Sequence, residues 1–429
     1  MPEATAGVAS RPGRLPLRTR GAARAGSAVS AVSRRIGAGS GGVIGGRVSL
    51  AIDPSALERL AVGHRVVLVS GTNGKTTTTR LLSTAVVTTH PVVTNLGGAN
   101  LPPGLVAALS TAEPGSVAVL EVDEAYLGRV AAAVRPVGVC LLNLSRDQLD
   151  RMSEVRMLAA RWRQAVGGLT DATVVANADD PLVAWAALAA PTVVWVAAGA
   201  SWKLDASGCP ECEGTIAFDA DTWACPTCGL SRPDPQVWLE GSELVTTGGR
   251  RVPLQLGLPG RANRANAAMA ATAATILGVD EARAAEAMAA VSEVTGRYRV
   301  VRVGGRSCRL LLSKNPAGWM EIFDILSPPP APVVVAINAR VADGRDPSWL
   351  WDVPFERLAG RRLVVATGER CRDLGVRLRY AEVDHVTVPD LTEAVRAGSD
   401  ASGGSSEGVV DVVANYTSFQ QLRALSSDG

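Results

Sequence analysis

The eight residues Gly71-Thr-Asn-Gly-Lys75-Thr-Thr-Thr stand directly behind the apolar run Arg65–Ser70 (RVVLVS) and leave the chain little choice of local structure. Glycines at 71 and 74 let backbone N–H groups approach phosphate oxygens, and a helix opening at about Lys75 adds the positive potential of its N-terminus. Lys75 then reaches the terminal phosphates, and the Thr76 hydroxyl is placed to ligate magnesium. The string predicts a strand–loop–helix cradle and an ATP site made by Gly71, Thr72, Asn73, Gly74, Lys75, Thr76 and Thr77. Of 43 basic residues only three are lysines (Lys75, Lys203, Lys314), so a lysine at this position is informative.

The cradle implies a parallel sheet, and the flanking pattern agrees. Val117–Glu121 (VAVLE), Val137–Leu142 (VGVCLL) and Thr173–Ala176 (TVVA) read as buried strands separated by helical stretches, the mark of an α/β sheet covered on both faces. A helix-rich stretch from Asn263 to Val291 closes this first domain. Further strands at 332–338, 362–367 and 409–415 predict a second, Rossmann-like α/β domain. A chain of 429 residues with 47% hydrophobic and 20% charged residues has ample material for two folded cores. Boundaries are expected at a basic, flexible segment 1–47, an ATP-binding domain 48–295 and a second domain 296–429. A formal net charge of +2 gives no global field for nucleic acid. No apolar run is long enough to span a bilayer.

Residues of about 201–250 break the α/β alternation and hold Cys209-Pro-Glu-Cys212 and Cys225-Pro-Thr-Cys228. Two CxxC pairs separated by twelve residues suit a zinc ribbon, in which four thiolates complete a tetrahedron and leave no catalytic position open. Redox pairs are the alternative, but they lack the helix N-terminus that lowers a thiol pKa. Metal-ligand cysteines without a secretory signal point to a reducing cytoplasm. Residues 1–47 hold eight arginines and one acid, Glu3. That segment reads as a solvated tail with a short helix, or as a basic surface touching anionic lipid at the inner face of the membrane.

The shortened loop GTNGKTTT resembles that of the Mur ligase family, which joins an amine to a carboxylate through an acyl phosphate. The resemblance makes Glu121, at a strand end, the magnesium-binding carboxylate; an acid capping the next helix is the other reading. Asn143-Leu-Ser-Arg-Asp147-Gln148-Leu-Asp150-Arg151 is similar to a family segment that commonly has histidine at position 148. Asn177-Ala-Asp-Asp-Pro181 and Gly260-Arg-Ala-Asn263-Arg-Ala-Asn266 match later motifs, with Asn263 as the implied adenine contact. No lysine lies between Lys75 and Lys203, so the carbamylated lysine of the peptide-adding members has no counterpart. That gap, Gln148 and the cysteine insertion resemble the MurT branch. The second domain agrees through Lys314-Asn-Pro-Ala-Gly-Trp319, the block Asp343-Gly-Arg345-Asp346-Pro-Ser-Trp349-Leu-Trp351-Asp352, and Asn415-Tyr-Thr417. One departure is Ala339, where an acid commonly follows Asn338.

This resemblance implies a lipid II isoglutaminyl synthase subunit that amidates the D-glutamate α-carboxylate of lipid II. Its requirements are ATP, Mg2+ and structural Zn2+. Ammonia would come from a separate GatD-type class I glutaminase, because Cys140, Cys308 and Cys371 lack a nucleophile elbow. Asp352 is the candidate that orients or deprotonates ammonia, with Asp343 and Asp346 as rivals and Arg345 as a substrate or phosphate clamp; a capping or ion-pair role is the plainer reading of Asp352. Two alternatives stand beside this: an amino-acid ligase like folylpolyglutamate synthase, and a zinc-ribbon nucleic-acid-binding ATPase. The stretch Lys203–Arg250 carries eight acids against three bases, which deprives the latter of its electrostatic footing.

Overall fold

The computed structural model describes residues 15–35, 42–95, 98–146, 152–200, 202–220, 222–292, 298–401 and 409–427. Residues 1–14 and the segment with Asp147, Gln148, Asp150 and Arg151 lie outside the described residues. Helices α1 (Leu17–Arg35), α2 (Gly42–Ile52) and α3 (Ala56–Ala61) lead into β1 (Arg65–Ser70). Strand and helix then alternate through α4 (Lys75–Val86), β2 (Val92–Thr94), α5 (Pro102–Leu109), β3 (Val117–Glu121), α6 (Leu127–Val134) and β4 (Gly138–Leu141). The alternation continues with α7 (Met152–Gly167), β5 (Thr173–Asn177), α8 (Pro181–Ala187) and β6 (Val193–Ala197).

These six strands pair in parallel, in the order β6-β5-β4-β1-β3-β2. Successive residues of β1 face opposite sides: Val66 and Leu68 enter one core, Val67 and Val69 the other. Both faces are covered by helices, which is why the strands read as unbroken apolar runs. The chain progresses to β2 and β3 on one side of β1 and to β4, β5 and β6 on the other. A crevice therefore opens at the carboxyl end of β1, the usual ligand position in an open α/β sheet.

The cysteine-bearing insertion is shorter than expected. A small antiparallel pair, β7 (Ala217–Asp219) and β8 (Thr222–Ala224), lies between its knuckles. Beyond it β9 (Val237–Glu240), β10 (Glu243–Thr246) and β11 (Arg251–Pro253) return to the main sheet as its edge, β9 pairing in parallel with β6. Read from the sequence they belong to the inserted stretch of about 201–250, whereas main-chain pairing joins them to the first domain. Helices α9 (Arg261–Thr275) and α10 (Glu281–Met288) cover one face.

The second domain comprises β12 (Tyr298–Val303), β13 (Arg306–Leu312), α11 (Pro316–Phe323), β14 (Val333–Ala336), β15 (Val364–Thr367) and α12 (Cys371–Tyr380). It ends with β16 (His385–Thr387), α13 (Leu391–Ala401), β17 (Val410–Ala414), α14 (Tyr416–Leu425) and β18 (Ser426–Ser427). Strands β16-β15-β14-β17-β13 are parallel, with β12 and β18 antiparallel at the edge. One core face holds an aromatic cluster, Trp319 standing edge-on to Phe355 at 4.9 Å between centroids.

From Leu17 the amino-terminal region is a packed helical pair, more extensive than the short helix read from the sequence. Small residues permit the close approach. A Cβ on Gly45 would stand 2.0 Å from Ser30 Oγ, and one on Gly46 1.7 Å from the Pro103 carbonyl oxygen on α5. Thr19 Oγ1 donates to Asp53 Oδ2 at 2.6 Å, and Arg59 pairs with the same carboxylate at 3.0 Å. Contacts built on glycine and serine have no hydrophobic period, so they escape a search for apolar faces. Replacing Gly46 with alanine should lower stability by about 1–3 kcal/mol, the usual cost of overpacking. Equilibrium denaturation tests this, and an unchanged midpoint would show that α2 is not seated on α5.

Candidate active site

The loop between β1 and α4 is clamped from the next strand. Thr72 N–H donates to the Asn143 carbonyl and Asn73 N–H to Asn143 Oδ1, both at 2.9 Å, while Asn143 Nδ2 donates back to the Asn73 carbonyl at 3.1 Å. Ser145 N–H donates to Thr72 Oγ1 at 3.0 Å and Asn73 Nδ2 to Ser145 Oγ at 3.3 Å. Two of the loop amides expected to meet phosphate are thus consumed by the clamp. The donors left for an anion are the first-turn amides of α4, which no side chain caps. Gly74 opens that helix at φ +81°, and a Cβ there would stand 2.4 Å from Asn266 Oδ1. Only glycine fits both conditions.

Lys75 is buried, and its ammonium donates to the Gly71 carbonyl at 2.5 Å and to Glu124 Oε2 at 2.8 Å. Trp162, wholly buried on α7, donates from Nε1 to the Glu124 carbonyl and fixes that counter-ion's backbone. Glu121 ends β3, opposite Val69 of β1. Asn95 brackets its backbone and Asn100 Nδ2 donates to Oε1 at 3.1 Å. Its other oxygen, Oε2, is buried with no hydrogen-bond partner among the described residues. A hard cation suits such an oxygen, so Glu121 fits magnesium better than it fits a helix cap. Thr76, on the first turn of α4, is half-buried.

Two adjoining clefts separate the domains beside this loop. One is lined by Asn73, Asn143, Asn177 and Asn266 from the first domain and by Ala317 and Glu321 from the second. The other is lined by Gly74, Thr77, Asn263, Asn266, Ser313 and Lys314. Asn263 donates to the Pro259 carbonyl at 2.6 Å, whereas Asn266 stands against Gly74 and lines both clefts. Asn315 caps α11 through the Gly318 amide, and its Nδ2 meets Asn73 Oδ1 at 3.4 Å across the domain boundary.

The acidic block of the second domain divides. Asp343 accepts the Thr417 amide at 2.7 Å and the Arg340 amide at 3.3 Å, tying its loop to α14. Asp346 accepts the Ser348 amide at 2.9 Å where the turn Ser348–Trp351 begins, and bonds from Ser348 hold its carboxyl below the usual carboxylate range. Arg345 is exposed. Asp352 differs: Oδ2 is buried with no hydrogen-bond partner among the described residues and lies 3.5 Å from Arg146 Nη2 of the first domain. Burial pushes its carboxyl up, the Arg146 charge pulls it back, and Asp205 pushes it up again. Arg146 follows the loop-clamping Ser145 and pairs with Asp205 at 2.6 Å.

The sulfurs of Cys209, Cys212, Cys225 and Cys228 all lie within 4.8 Å of one another. Around zinc, bonds of about 2.3 Å separate tetrahedral sulfurs by about 3.8 Å, close to the 3.6 Å of Cys209–Cys228 and the 3.5 Å of Cys212–Cys225. The two knuckles are near copies. Each first cysteine accepts at its carbonyl from the residue four ahead, Glu213 at φ +66° or Gly229 at φ +77°. Backbone N–H groups of Glu211 and Cys212 turn towards Cys209, and those of Thr227 and Cys228 towards Cys225. Four sulfurs at this spacing, with amide donors turned to the first of each knuckle, fit a zinc ion.

Glu124, Arg146 and Asp205 were not given roles from the sequence. Glu124 closes the acidic run Glu121-Val-Asp123-Glu124, which was its signal in the sequence. Asp205 carried no signal, because its partner is 59 residues away.

The family model for the Mur ligase middle domain matches residues 69–274, and that for the MurT ligase C-terminal domain matches residues 312–419. The chain is 31% identical over 370 residues to the lipid II isoglutaminyl synthase (glutamine-hydrolyzing) subunit MurT of Streptococcus pneumoniae, covering 80% of this chain and 82% of that one. It is 27% identical over 402 residues to the subunit of the same name from Staphylococcus aureus, covering 88% and 91%. Among solved structures it resembles a pseudomurein peptide ligase type C from Methanothermus fervidus (TM-score 0.65, 20% identity, 87% of this chain and 80% of that one). It also resembles MurF from Acinetobacter baumannii (TM-score 0.65, 16% identity, 88% and 79%). Fold and loop together define the class, an ATP-dependent ligase of the Mur type. Within that class the chain belongs to the MurT family.

Gly74→Ala should weaken ATP binding at least about ten-fold, through backbone strain and collision with Asn266. Calorimetric titration checks this; unaltered affinity would remove the α4 N-terminus from the nucleotide site.

Proposed function

We propose that this chain is the synthetase subunit of a glutamine-dependent amidotransferase that converts the D-glutamate α-carboxylate of lipid II to D-isoglutamine. A GatD-type class I glutaminase is its partner and supplies ammonia. The observation that carries this reading is the approach of Asp352 to Arg146, which brings the block DGRDPSWLWD to the clamped phosphate loop.

The substrate carboxylate oxygen attacks the γ-phosphorus of ATP, the bond to the β–γ bridging oxygen breaks, and ADP leaves. Lys75 exchanges Glu124 for phosphate oxygens, and the first-turn amides of α4 hold the charge that develops. Asn73 and Asn266 fit the nucleoside side, with Asn263 on the neighbouring wall. Glu121 and Thr76 would hold magnesium, which neutralises phosphate charge when bound. Ammonia then attacks the acyl carbon, phosphate leaves with the bonding pair, and the nitrogen loses a proton. Asp352 orients the incoming nitrogen or accepts that proton. Asp343 and Asp346 serve the loop around it. The four cysteines would hold zinc as a closed site that stabilises the fold and takes no chemical step.

No helix among the described residues is long and apolar enough to cross a membrane. Six arginines and no acid lie between residues 15 and 52. That charge suits a protein working in the cytoplasm against the anionic inner face of the membrane, where a lipid-linked substrate is found.

The test supplies lipid II, ATP and either ammonium or glutamine with the partner, and follows phosphate and amide product. Lys75→Ala should abolish both signals. Asp352→Asn should retain ATP binding and lose amide formation by about two orders of magnitude, a loss typical for a proton-transfer or positioning group. Amino-acid addition without amide formation would favour the folylpolyglutamate-like alternative. Cys225→Ser or chelation should release about one zinc per chain and lower the melting temperature, since a structural metal contributes folding energy; undiminished stability would speak against bound metal.

A further inference from the structure

Asp352 sits on the second domain, yet the charge it faces belongs to the first, and that charge is itself held from the cysteine-bearing insertion. Arg146 donates to Asp205 twice, through its backbone N–H at 2.7 Å and through Nε at 2.6 Å, and this leaves Nη2 turned to Asp352. The Asp205 side chain is 3% exposed and that of Arg146 11%, so neither is a casual surface partner. Asp205 lies on the turn Leu204–Ala206. Directly after it, Ile216 N–H donates to the Ser207 carbonyl at 2.8 Å, Gly208 bridges to Thr215, and Cys209 begins the first knuckle. Arg146 is equally tied to the phosphate loop through its neighbour Ser145. One guanidinium thus links the insertion, the loop and the acid of the other domain.

We propose that Asp205 and Arg146 are positioning residues that form an inter-domain latch, holding Asp352 oriented beside the phosphate loop for the amide-forming step. The proposal rests on the role of Asp352 given above. The Arg146–Asp352 contact crosses the domain boundary, so it exists only when the domains are together. Asp352 is thereby set for ammonia only while the carboxylate and nucleotide are enclosed, which protects the acyl phosphate from water. Two carboxylates share one guanidinium: Asp205 takes the backbone amide and Nε, and Asp352 supplies the weaker, longer contact that can break as the domains part. A planar fork suits this two-sided task, and an ammonium does not. The insertion acts on the chemistry through Asp205 without supplying a reacting atom.

The experiment uses the full chain with ammonium as nitrogen source and lipid II as acceptor. Arg146→Ala and Asp205→Ala should lower kcat at least about ten-fold and leave the KM for ATP within about two-fold. Added guanidinium should restore part of the rate of Arg146→Ala. Combining Arg146→Ala with Asp352→Asn should cost no more than about two-fold beyond Asp352→Asn alone, because residues acting through one another are not additive. Arg146→Lys retains charge and volume, which guards against a folding artefact, and it should remain impaired at an unchanged melting temperature. Multiplicative losses in the double variant, equal losses in kcat and ATP affinity, or full activity in Arg146→Lys would overturn the latch. A dead Asp352→Asn with an active Arg146→Ala overturns the latch alone. Full turnover in Asp352→Asn overturns the proposed role of Asp352, and the latch falls with it.

Discussion

The reciprocal hydrogen bonding between Asn143 and the backbone of Asn73 governs the architecture of this site. A backbone loop that must present N–H groups to an anion has to be rigid, and rigidity in a glycine-containing loop comes from outside it. The parallel neighbour β4 provides it, because its end lies beside the end of β1 and its next residues reach the loop directly. The amides spent on the clamp are two that a freer loop would offer to phosphate, and the cradle that remains is the start of α4.

Much of this was legible. Strand bounds at Arg65–Ser70 and Val117–Glu121 agree with the sequence reading residue for residue, because both are unbroken apolar runs inside a covered sheet. The opening of α4 at Lys75 follows from the loop motif itself. What stayed hidden depends on partners far apart in the chain or on small residues. The edge strands β9 to β11 are short and half-exposed, so their membership of the main sheet shows in the pairing of Val196 with Val237 and Ala197 with Trp238. The α1–α2 pair is built on Gly26, Gly45, Ser30 and Ser49, residues that read as a loose tail. Within the acidic block, the sequence put Asp352 first with Asp343 and Asp346 as rivals; burial and backbone amides distinguish the surroundings of Asp352 from those of the other two.

Several strings that look chemical prove to be fasteners. Asn415 Oδ1 accepts the Asn338 amide at 3.1 Å and its Nδ2 returns to the Asn338 carbonyl at 2.6 Å, which locks β17 to the end of β14. Asp180 accepts the Leu144, Leu182 and Val183 amides, and burial pushes its carboxyl up to about 6 against those donors. Arg377 is buried and donates to the Leu350 and Val353 carbonyls, bracketing the residue pair that includes Asp352. Such contacts keep the turn around Asp352 stiff while its Oδ2 accepts no hydrogen bond from the described residues.

The clamp on the phosphate loop has a kinetic consequence. With its backbone already secured by Asn143 and Ser145, the loop has little disorder left to surrender when a nucleotide arrives. Nucleotide association then waits on no rearrangement of the loop, which removes one common cause of a slow on-rate.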